Sequence, residues 1–185
     1  GILRVTMLEA LRELPPLVAH RRPPARALRG VGVMTTTGGG GALAIDALGV
    51  LGIEARKPDA AAAALLDAAK LPHHGRLLDM TLAGTRPDRV MAGLAALRAA
   101  EDTDLVLAVV GSSAQFRPHD AVGGIVEGAK LPGKPVAAFL APQAEASLRL
   151  LAEAGIAAFR TPEGAADAIR AFCDWRAPRA VAALP

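Results

Sequence analysis

Aromatic residues are scarce in this chain of 185 residues: four Phe, one Trp and no Tyr together make up 3% of it. A core must therefore be built from Ala, Val, Leu and Ile, within a sequence that is 52% hydrophobic. Flavin pockets usually stack an aromatic side chain on the cofactor, and the single Trp175 lies far along the chain from the segments that suggest chemistry. FMN binding is therefore not expected.

Cysteine and long apolar runs are also lacking. Cys173 is the only cysteine, which excludes an internal disulfide and fits a reducing compartment. Its place in a helical pattern indicates a buried structural thiol. No apolar run reaches the ~18 residues of a membrane span, and there is no signal-peptide pattern. The sequence predicts a soluble, cytoplasmic protein that does not contact a membrane.

The positive charge of the chain, +3 overall, lacks the features of a nucleic-acid interface. The one cluster of arginines, at Arg21, Arg22, Arg26 and Arg29, is interleaved with prolines. Nucleic-acid recognition calls for aromatic platforms or a reading helix within a basic face. No nucleic-acid partner is therefore expected.

Sets of residues that would indicate catalysis or metal binding are missing too. His73 and His74 are adjacent, a spacing that rarely directs both rings at one metal ion. Ser112 and Ser113 lack the G-x-S-x-G frame of a nucleophile elbow. No Gly-Lys-Ser/Thr follows the glycines, which excludes a P-loop. The sequence predicts neither a catalytic residue nor a metal site.

Strand-like and helix-like segments alternate along the chain. Strands are predicted at 31–37, 53–56, 77–80, 105–110, 136–140 and 156–159. Helices are predicted at 42–51, 59–71, from 85 to about 98, 120–130, 143–154 and 162–175, with Asp59 capping the second of these. Such alternation predicts an α/β fold with a mainly parallel sheet and right-handed crossovers.

Residues 1–29 do not look like the start of a domain. Within them, 2–5 is predicted as a strand, and Thr6 as the cap of a helix over 7–14, with Glu9 in a capping box. Pro15 and Pro16 should end that helix. Residues 20–29 resemble a linker. We expect 1–29 to be the end of a preceding domain with a linker, 30–175 the main domain and 176–185 a tail or linker.

Four consecutive glycines, Gly38 to Gly41, separate the first strand from an apolar helix. Glycine is costly to order, so this run suggests a need for bare backbone. Uncovered N–H groups beside a helix N-terminus would bind an anion such as phosphate or carboxylate, and the threonines at 35–37 would add hydroxyl donors. The alternative is a tight connection that binds nothing.

Ligands of open parallel sheets bind beyond the carboxyl ends of the strands. That rule brings residues 35–41, 79–83 and 111–114 to one edge, where Ser112 and Ser113 would donate to an oxyanion or only form a turn. Gly39, Gly41 and Ala44 also match the dinucleotide pattern G-x-G-x-x-A, with Asp59 or Glu54 as its acid. This weak match keeps a small NADP-dependent reductase open.

Several segments together resemble the NDP-forming acyl-CoA synthetases. Residues 35–41 followed by 44–48 are similar to a glycine-rich segment in the third, flavodoxin-like domain of that family. The same segment is more distantly similar to the carboxy-terminal domain of the succinyl-CoA synthetase β subunit. Later landmarks are matched at 77–79, 109–113, 134–136, 153–156 and 159–163. The resemblance covers roughly residues 1–175.

The resemblance implies a flavodoxin-like three-layer sandwich within an enzyme that joins a carboxylic acid to CoA. Such an enzyme uses ATP or GTP with Mg²⁺, and passes through an acyl phosphate and a phosphohistidine on a swinging loop. The phosphoryl group would lie at a helix N-terminus near Gly41. Its implied ligands are Thr36, Thr37, Gly38, Gly39, Gly40 and Gly41. The residues implied to face the acyl substrate are Asp79, Gly111, Ser112 and Ser113.

The chain departs from the family pattern in several places. Gly40 stands where the family often has proline, Thr36 where asparagine is common, and 76–78 replace the usual Asn-Pro-Val before Asp79. No CoA-binding Rossmann domain, phosphohistidine motif or ATP-grasp domain is visible. We therefore expect this chain to bind no cofactor by itself, to need other domains or subunits of the synthetase as partners, and not to catalyse alone. A non-catalytic anion-binding or interaction module remains the alternative.

Overall fold

Five parallel strands form the centre of the fold. In a computed structural model that describes residues 1–26, 28, 30–81 and 86–178, the strands are β1 Val31–Thr35, β2 Leu77–Asp79, β3 Leu105–Val110, β4 Val136–Leu140 and β5 Ala157–Phe159. They are ordered β2-β1-β3-β4-β5 and every neighbouring pair is parallel. This is the strand order of flavodoxin-like folds, so the predicted fold class is confirmed.

Helices cover both faces of this sheet. Within the described ranges they are α1 Leu8–Glu13, α2 Pro15–Val18, α3 Gly38–Val50, α4 Ala60–Ala68, α5 Pro87–Ala99, α6 Ser113–Phe116, α7 Pro118–Lys130, α8 Glu145–Glu153 and α9 Pro162–Asp174. The first three helices and α9 pack on one face, and α4, α5, α7 and α8 pack on the other. None of them is long and apolar enough to cross a membrane.

The central strand β3 is apolar at every position, and the reason is that both of its faces are buried. Leu105, Leu107 and Val109 belong to one core cluster, on the α3 and α9 side. Val106, Ala108 and Val110 belong to the other cluster, under α5 and α7. A strand covered on both faces has no solvent-exposed side to mark with polar residues, so its burial can be predicted from sequence.

The strand predicted at 53–56 is wrong in extent. Only one isolated parallel bridge forms there, between Val31 and Ala55. The Val31 N–H donates to the Glu54 carbonyl over 3.0 Å, and the Arg56 N–H donates to the Val31 carbonyl over 2.8 Å. From Val33 onward the same side of β1 is paired with β2, so the segment has no room to continue as a strand.

The N-terminal segment also differs from its prediction. Residues 2–5 do not form a strand, because none of the five strands pairs with them and an unpaired strand has no ladder. The helix begins at Leu8 with Met7 as its N-cap, and neither Thr6 nor a capping box supplies a side-chain cap. Instead, Asp167 of α9 accepts hydrogen bonds from the N–H groups of Thr6 and Met7, over 2.7 Å and 2.8 Å.

Helix α1 ends at Glu13, just before Pro15 and Pro16, as predicted. Pro15 then begins the separate helix α2, since the first position of a helix needs no N–H partner. The segment over 8–18 buries Ala10, Leu14 and Leu17 in the core cluster that also contains residues of α3 and α9. Residues 8–18 therefore pack on the same body as the sheet. The assignment of 1–29 to a preceding domain stays a prediction; 27, 29 and 179–185 lie outside the described residues.

The predicted cap of α4 is present, and it has a testable dependence on pH. Asp59 accepts from the Ala62 N–H over 2.9 Å and from the Glu101 N–H over 2.7 Å, and these two bonds hold the pKa of its carboxyl below the ordinary value. We expect Asp59→Ala to lower the free energy of unfolding by about 1 kcal/mol at pH 7. A lowered folded-state pKa stabilises the fold above pH ~4, and this contribution disappears as the pH falls further.

Urea denaturation of both proteins at pH 7 and near pH 3 measures this difference. A stability gap that stays constant across that range would contradict a role for the ionised carboxylate.

Candidate functional site

The four glycines are not a turn: they form the first turn of α3, which begins at Gly38 instead of near Gly41. The connection from β1 is two residues long, and hydrogen bonds of Thr35 stabilise it. The buried Thr35 hydroxyl accepts from the Thr37 N–H over 3.0 Å and donates to the Thr37 carbonyl over 2.7 Å. The sequence suggested Thr35 as a ligand donor, whereas its hydroxyl is engaged within the loop.

The start of α3 leaves hydrogen-bond donors uncovered. Thr37 is the N-cap residue, but its side chain accepts no bond from the helix, and the first intrahelical donor is the Gly41 N–H, 2.9 Å from the Thr37 carbonyl. In the part of the chain that the structure describes, the N–H groups of Gly38, Gly39 and Gly40 have no acceptor. These three donors lie at the positive end of the helix dipole.

The glycines serve two different purposes. A Cβ at Gly40 would lie 2.7 Å from Cγ2 of Thr37, and a Cβ at Gly41 would lie 2.8 Å from Cδ2 of Leu77. These two residues allow the helix to approach the sheet closely. Gly38 and Gly39 are exposed, and a Cβ at either would meet nothing within 4 Å. Packing therefore does not explain why Gly38 and Gly39 are glycines. Without side chains, these two residues leave their backbone exposed to solvent.

The ends of β1 and β3 are joined beside these donors. The Thr36 N–H donates to the Val109 carbonyl over 2.9 Å, and the Thr36 hydroxyl accepts from the Gly111 N–H over 2.9 Å. Gly111 is buried, and a Cβ there would lie 2.9 Å from Cβ of Thr37. Chain order reverses between these two strands, which is where doubly wound sheets bind ligands.

The remaining predicted site residues end the strands on either side. Ser112 is exposed and precedes α6, whose first residue is Ser113. Asp79 is exposed at the end of β2, in register with Thr35 of β1. Its carboxylate accepts from the N–H of Thr81 over 2.9 Å and from the Thr81 hydroxyl, so it also stabilises a turn. Residues 82 and 83, expected at the same edge, and Thr85, expected to begin α5, lie outside the described residues.

At this edge Gly38 and Gly39 are exposed, as far as the described residues show. Two grooves of the described structure lie elsewhere: one of about 340 Å³ is lined by Arg12, Glu13 and Arg160, among others, and one of about 330 Å³ lies between α3 and α9.

The dinucleotide pattern does not have the expected position. Gly39, Gly41 and Ala44 all lie inside α3, whereas the fingerprint needs its first glycine in the turn before the helix. Of the two candidate acids, Asp59 caps α4, and Glu54 forms an ion pair of 2.8 Å with Arg56. As for metals, the described residues include no group of three or more His, Cys, Asp or Glu that could hold an ion.

Solved structures with a similar fold exist, although the sequence comparisons found no match. No protein-family model and no curated protein matches the chain. The structure is similar to PH0766 from Pyrococcus horikoshii OT3, with a TM-score of 0.75 and 20% identity over 91% of this chain and 40% of that one. It is also similar to dinucleotide forming acetyl-coenzyme A synthetase 1 of Candidatus Korarchaeum cryptofilum, solved in an apo form and in complex with phosphate and ADP.

Both synthetase structures give a TM-score of 0.73 and 24% identity, over 93% of this chain and 38% of theirs. At these levels of identity the similarity shows the fold: this chain folds like part of each of those longer chains. The chain spans about 40% of the length of these solved chains.

Cys173 is only partly buried, where the sequence predicted a buried structural thiol, and it packs against the core cluster on the α3 and α9 side. Burial raises its pKa to about 11, from an ordinary value of 9.0. We expect native Cys173 to react with iodoacetamide at pH 8 about 100-fold more slowly than a free thiol, because the thiolate is the nucleophile. Mass spectrometry of timed samples measures the rate, with the urea-unfolded chain as the control. Equal rates in the two states would contradict this environment.

Proposed function

We propose that this chain is a domain of an NDP-forming acyl-CoA synthetase, and that it binds a phosphoryl group at the N-terminus of α3 while acyl-CoA is formed. The observation that carries the proposal is the set of three N–H groups without an acceptor at Gly38, Gly39 and Gly40, of which the first two residues are exposed, at the junction of β1 and β3. Preorganised donors of this kind stabilise negative charge without reorganising as it develops.

The openness of the site supports a role in a larger enzyme. A phosphoryl group arriving on another domain, as a phosphohistidine or an acyl phosphate, would need access to Gly38 and Gly39, which nothing in the described structure covers. In this proposal Thr36 and Thr37 position the loop, while Ser112 and Ser113 face the acyl group together with Asp79.

The other parts of the reaction would come from elsewhere. We propose that CoA-binding, phosphohistidine-bearing and ATP-grasp domains supply CoA, ATP or GTP and Mg²⁺, and that the acyl donor is a small carboxylic acid. This chain is similar to a part, about 40% of the length, of longer chains, and one of these was solved with phosphate and ADP. This similarity supports the proposal that other domains supply the remaining steps. The single cysteine supports a cytoplasmic location.

Phosphate binding tests the proposal directly. Calorimetric titration of the chain with inorganic phosphate and acetyl phosphate should detect binding that Gly39→Val weakens at least about tenfold. A helical Cβ is tilted towards the helix N-terminus, so the valine methyl groups would cover the neighbouring N–H groups. The matched control is Gly49→Val in the same helix, where a Cβ also meets nothing within 4 Å. Circular dichroism should show both variants folded.

The alternatives give different results. Unchanged affinity in Gly39→Val, or no binding of either anion, would overturn the phosphoryl site and leave an interaction module of the same fold. Binding of NADPH without phosphate would instead favour a reductase. Anion binding by the chain without acyl-CoA formation is the result that we expect for an isolated domain.

A further inference from the structure

A second surface feature, independent of the proposed phosphoryl site, is the groove of about 330 Å³ between the start of α1, α3 and α9. Ala47 of α3 and the buried Ala166 of α9 contribute to its lining. The remaining apolar lining residues are Met7, Leu43, Val50, Leu51 and Pro162.

Helix α3 is unusual for a helix at a protein surface, because it is apolar on its outward face as well. Leu43 is 55% exposed and Val50 is 84% exposed. Together with Ala47 they form a stripe at i, i+4 and i+7 that lines the groove. Exposed apolar side chains that adjoin in this way mark interaction surfaces, whereas single ones do not.

The shape of the groove favours a helix as its occupant. Its walls are helices, whose backbone groups are already bonded internally, and no strand edge lines it. An extended segment would leave its own N–H and C=O groups unpaired against apolar walls, but a helix satisfies them itself. The stripe from Leu43 to Val50 is about 10 Å long, so two to three turns of helix would cover it.

The charged residues around the groove indicate which charge the bound helix should carry. The groove is lined by Asp46, Glu163 and Asp167 and by no Lys or Arg, although the chain carries a net charge of +3. Asp167 is bonded to Thr6 and Met7, but Asp46 and Glu163 are exposed and form no ion pair with any residue that the structure describes. Asp46 is the only charged residue in α3.

From the apolar stripe and its acidic rim, we propose that this groove binds an amphipathic helix of another protein domain, with Lys or Arg flanking the apolar face of that helix. The apolar side chains fill the space over Ala47, and the cations pair with Asp46 and Glu163.

A synthetic Leu/Lys helix of about four turns, labelled with fluorescein, is the probe. Anisotropy titration with the full chain should show binding that Leu43→Ser/Val50→Ser weakens at least about tenfold. Asp46→Lys should weaken it about fivefold at low salt, and this loss should largely vanish at 0.5 M NaCl, where charges are screened. Leu65→Ser is the matched control, since Leu65 is 48% exposed on α4, on the other face of the sheet; it should leave binding unchanged.

Two further peptides decide whether binding is specific. A peptide of the same composition in shuffled order, and one with Glu in place of Lys, should both bind at least about tenfold more weakly. Equal binding of either peptide, or an equal loss in Leu65→Ser, would overturn the proposal. Sedimentation that shows a dimer of this chain, lost in Leu43→Ser/Val50→Ser, would assign the groove to a second copy and would also overturn it.

Discussion

Gly40→Val is expected to lower the free energy of unfolding by about 2–3 kcal/mol, whereas Gly38→Val should change it by less than about 0.5 kcal/mol. The two residues are two positions apart in the same helical turn, so their propensity costs are similar. They differ in what surrounds them. A Cβ at Gly40 would lie 2.7 Å from Cγ2 of Thr37, 3.0 Å from Cβ of Ala141 and 3.2 Å from Cγ1 of Val109, whereas a Cβ at Gly38 meets nothing within 4 Å.

Urea denaturation of the two variants and the wild type, monitored by circular dichroism, measures both changes. Equal losses would mean that helix propensity, and not the close approach of α3 to the sheet, accounts for the glycines. The pair also separates stability from binding, because Gly38 contributes a free N–H but no packing.

The second large effect is expected at Arg160. Its guanidinium lies 2.5 Å from Glu13 of α1, whose side chain is 4% exposed, and 3.3 Å from Glu145 of α8. Arg160→Met would leave the Glu13 carboxylate buried without its main cation, since Arg12 is 3.6 Å away and largely exposed. We expect a loss of about 3 kcal/mol, as for other buried pairs that lose one partner.

A double variant tests the cause of that loss. Glu13→Leu/Arg160→Met removes both charges and keeps similar volumes, so it should recover most of the stability, to within about 1 kcal/mol of the wild type. Chemical denaturation measures the single and double variants together. A double variant that is less stable than Arg160→Met would contradict the idea that an unpaired carboxylate causes the loss.

The sheet could be predicted well because its strands depend on local pattern. The continuous apolar runs at Leu105–Val110 and Val136–Leu140 match the observed strands, since strands buried on both faces need apolar residues at every position. The segment at 53–56 looked similar, but its pairing depended on space beside β1 that β2 occupies. Two segments that compete for the same edge of a strand cannot be recognised from the sequence of either segment alone.

The helix starts also divide into those that local sequence predicts and one that depends on a distant residue. Asp59 and Thr161 cap their own helices through bonds to Ala62 and Gly164, three residues later, and such caps can be identified from spacing. The residues just before α1, Thr6 and Met7, are instead bonded through their N–H groups to Asp167, which is 161 residues away from Thr6. No local pattern could identify it, and the nearby Thr6 and Glu9 suggested a capping box that does not form.

The candidate site was located by sequence and corrected by structure. The run Gly38–Gly41 and the rule for strand ends were enough to bring Thr36, Gly111 and Asp79 to one edge, because parallel strands end on the same side. Which glycines pack and which are bare was not predictable. That depends on Leu77, Val109 and Ala141, which reach α3 only through the folded sheet.

The sequence by itself therefore determined the parallel α/β architecture, the edge of the sheet that carries the candidate site and the absence of a P-loop motif. These follow from periodicity, composition and the direction of the strands, all of which are local. Only the tertiary structure decided that α3 starts at Gly38 with three unpaired N–H groups, that Asp167 holds the start of α1, and that an apolar groove with acidic residues lies beside α3. Each of these features depends on contacts between residues that are far apart in the chain. Such contacts form only when the helices pack on the sheet.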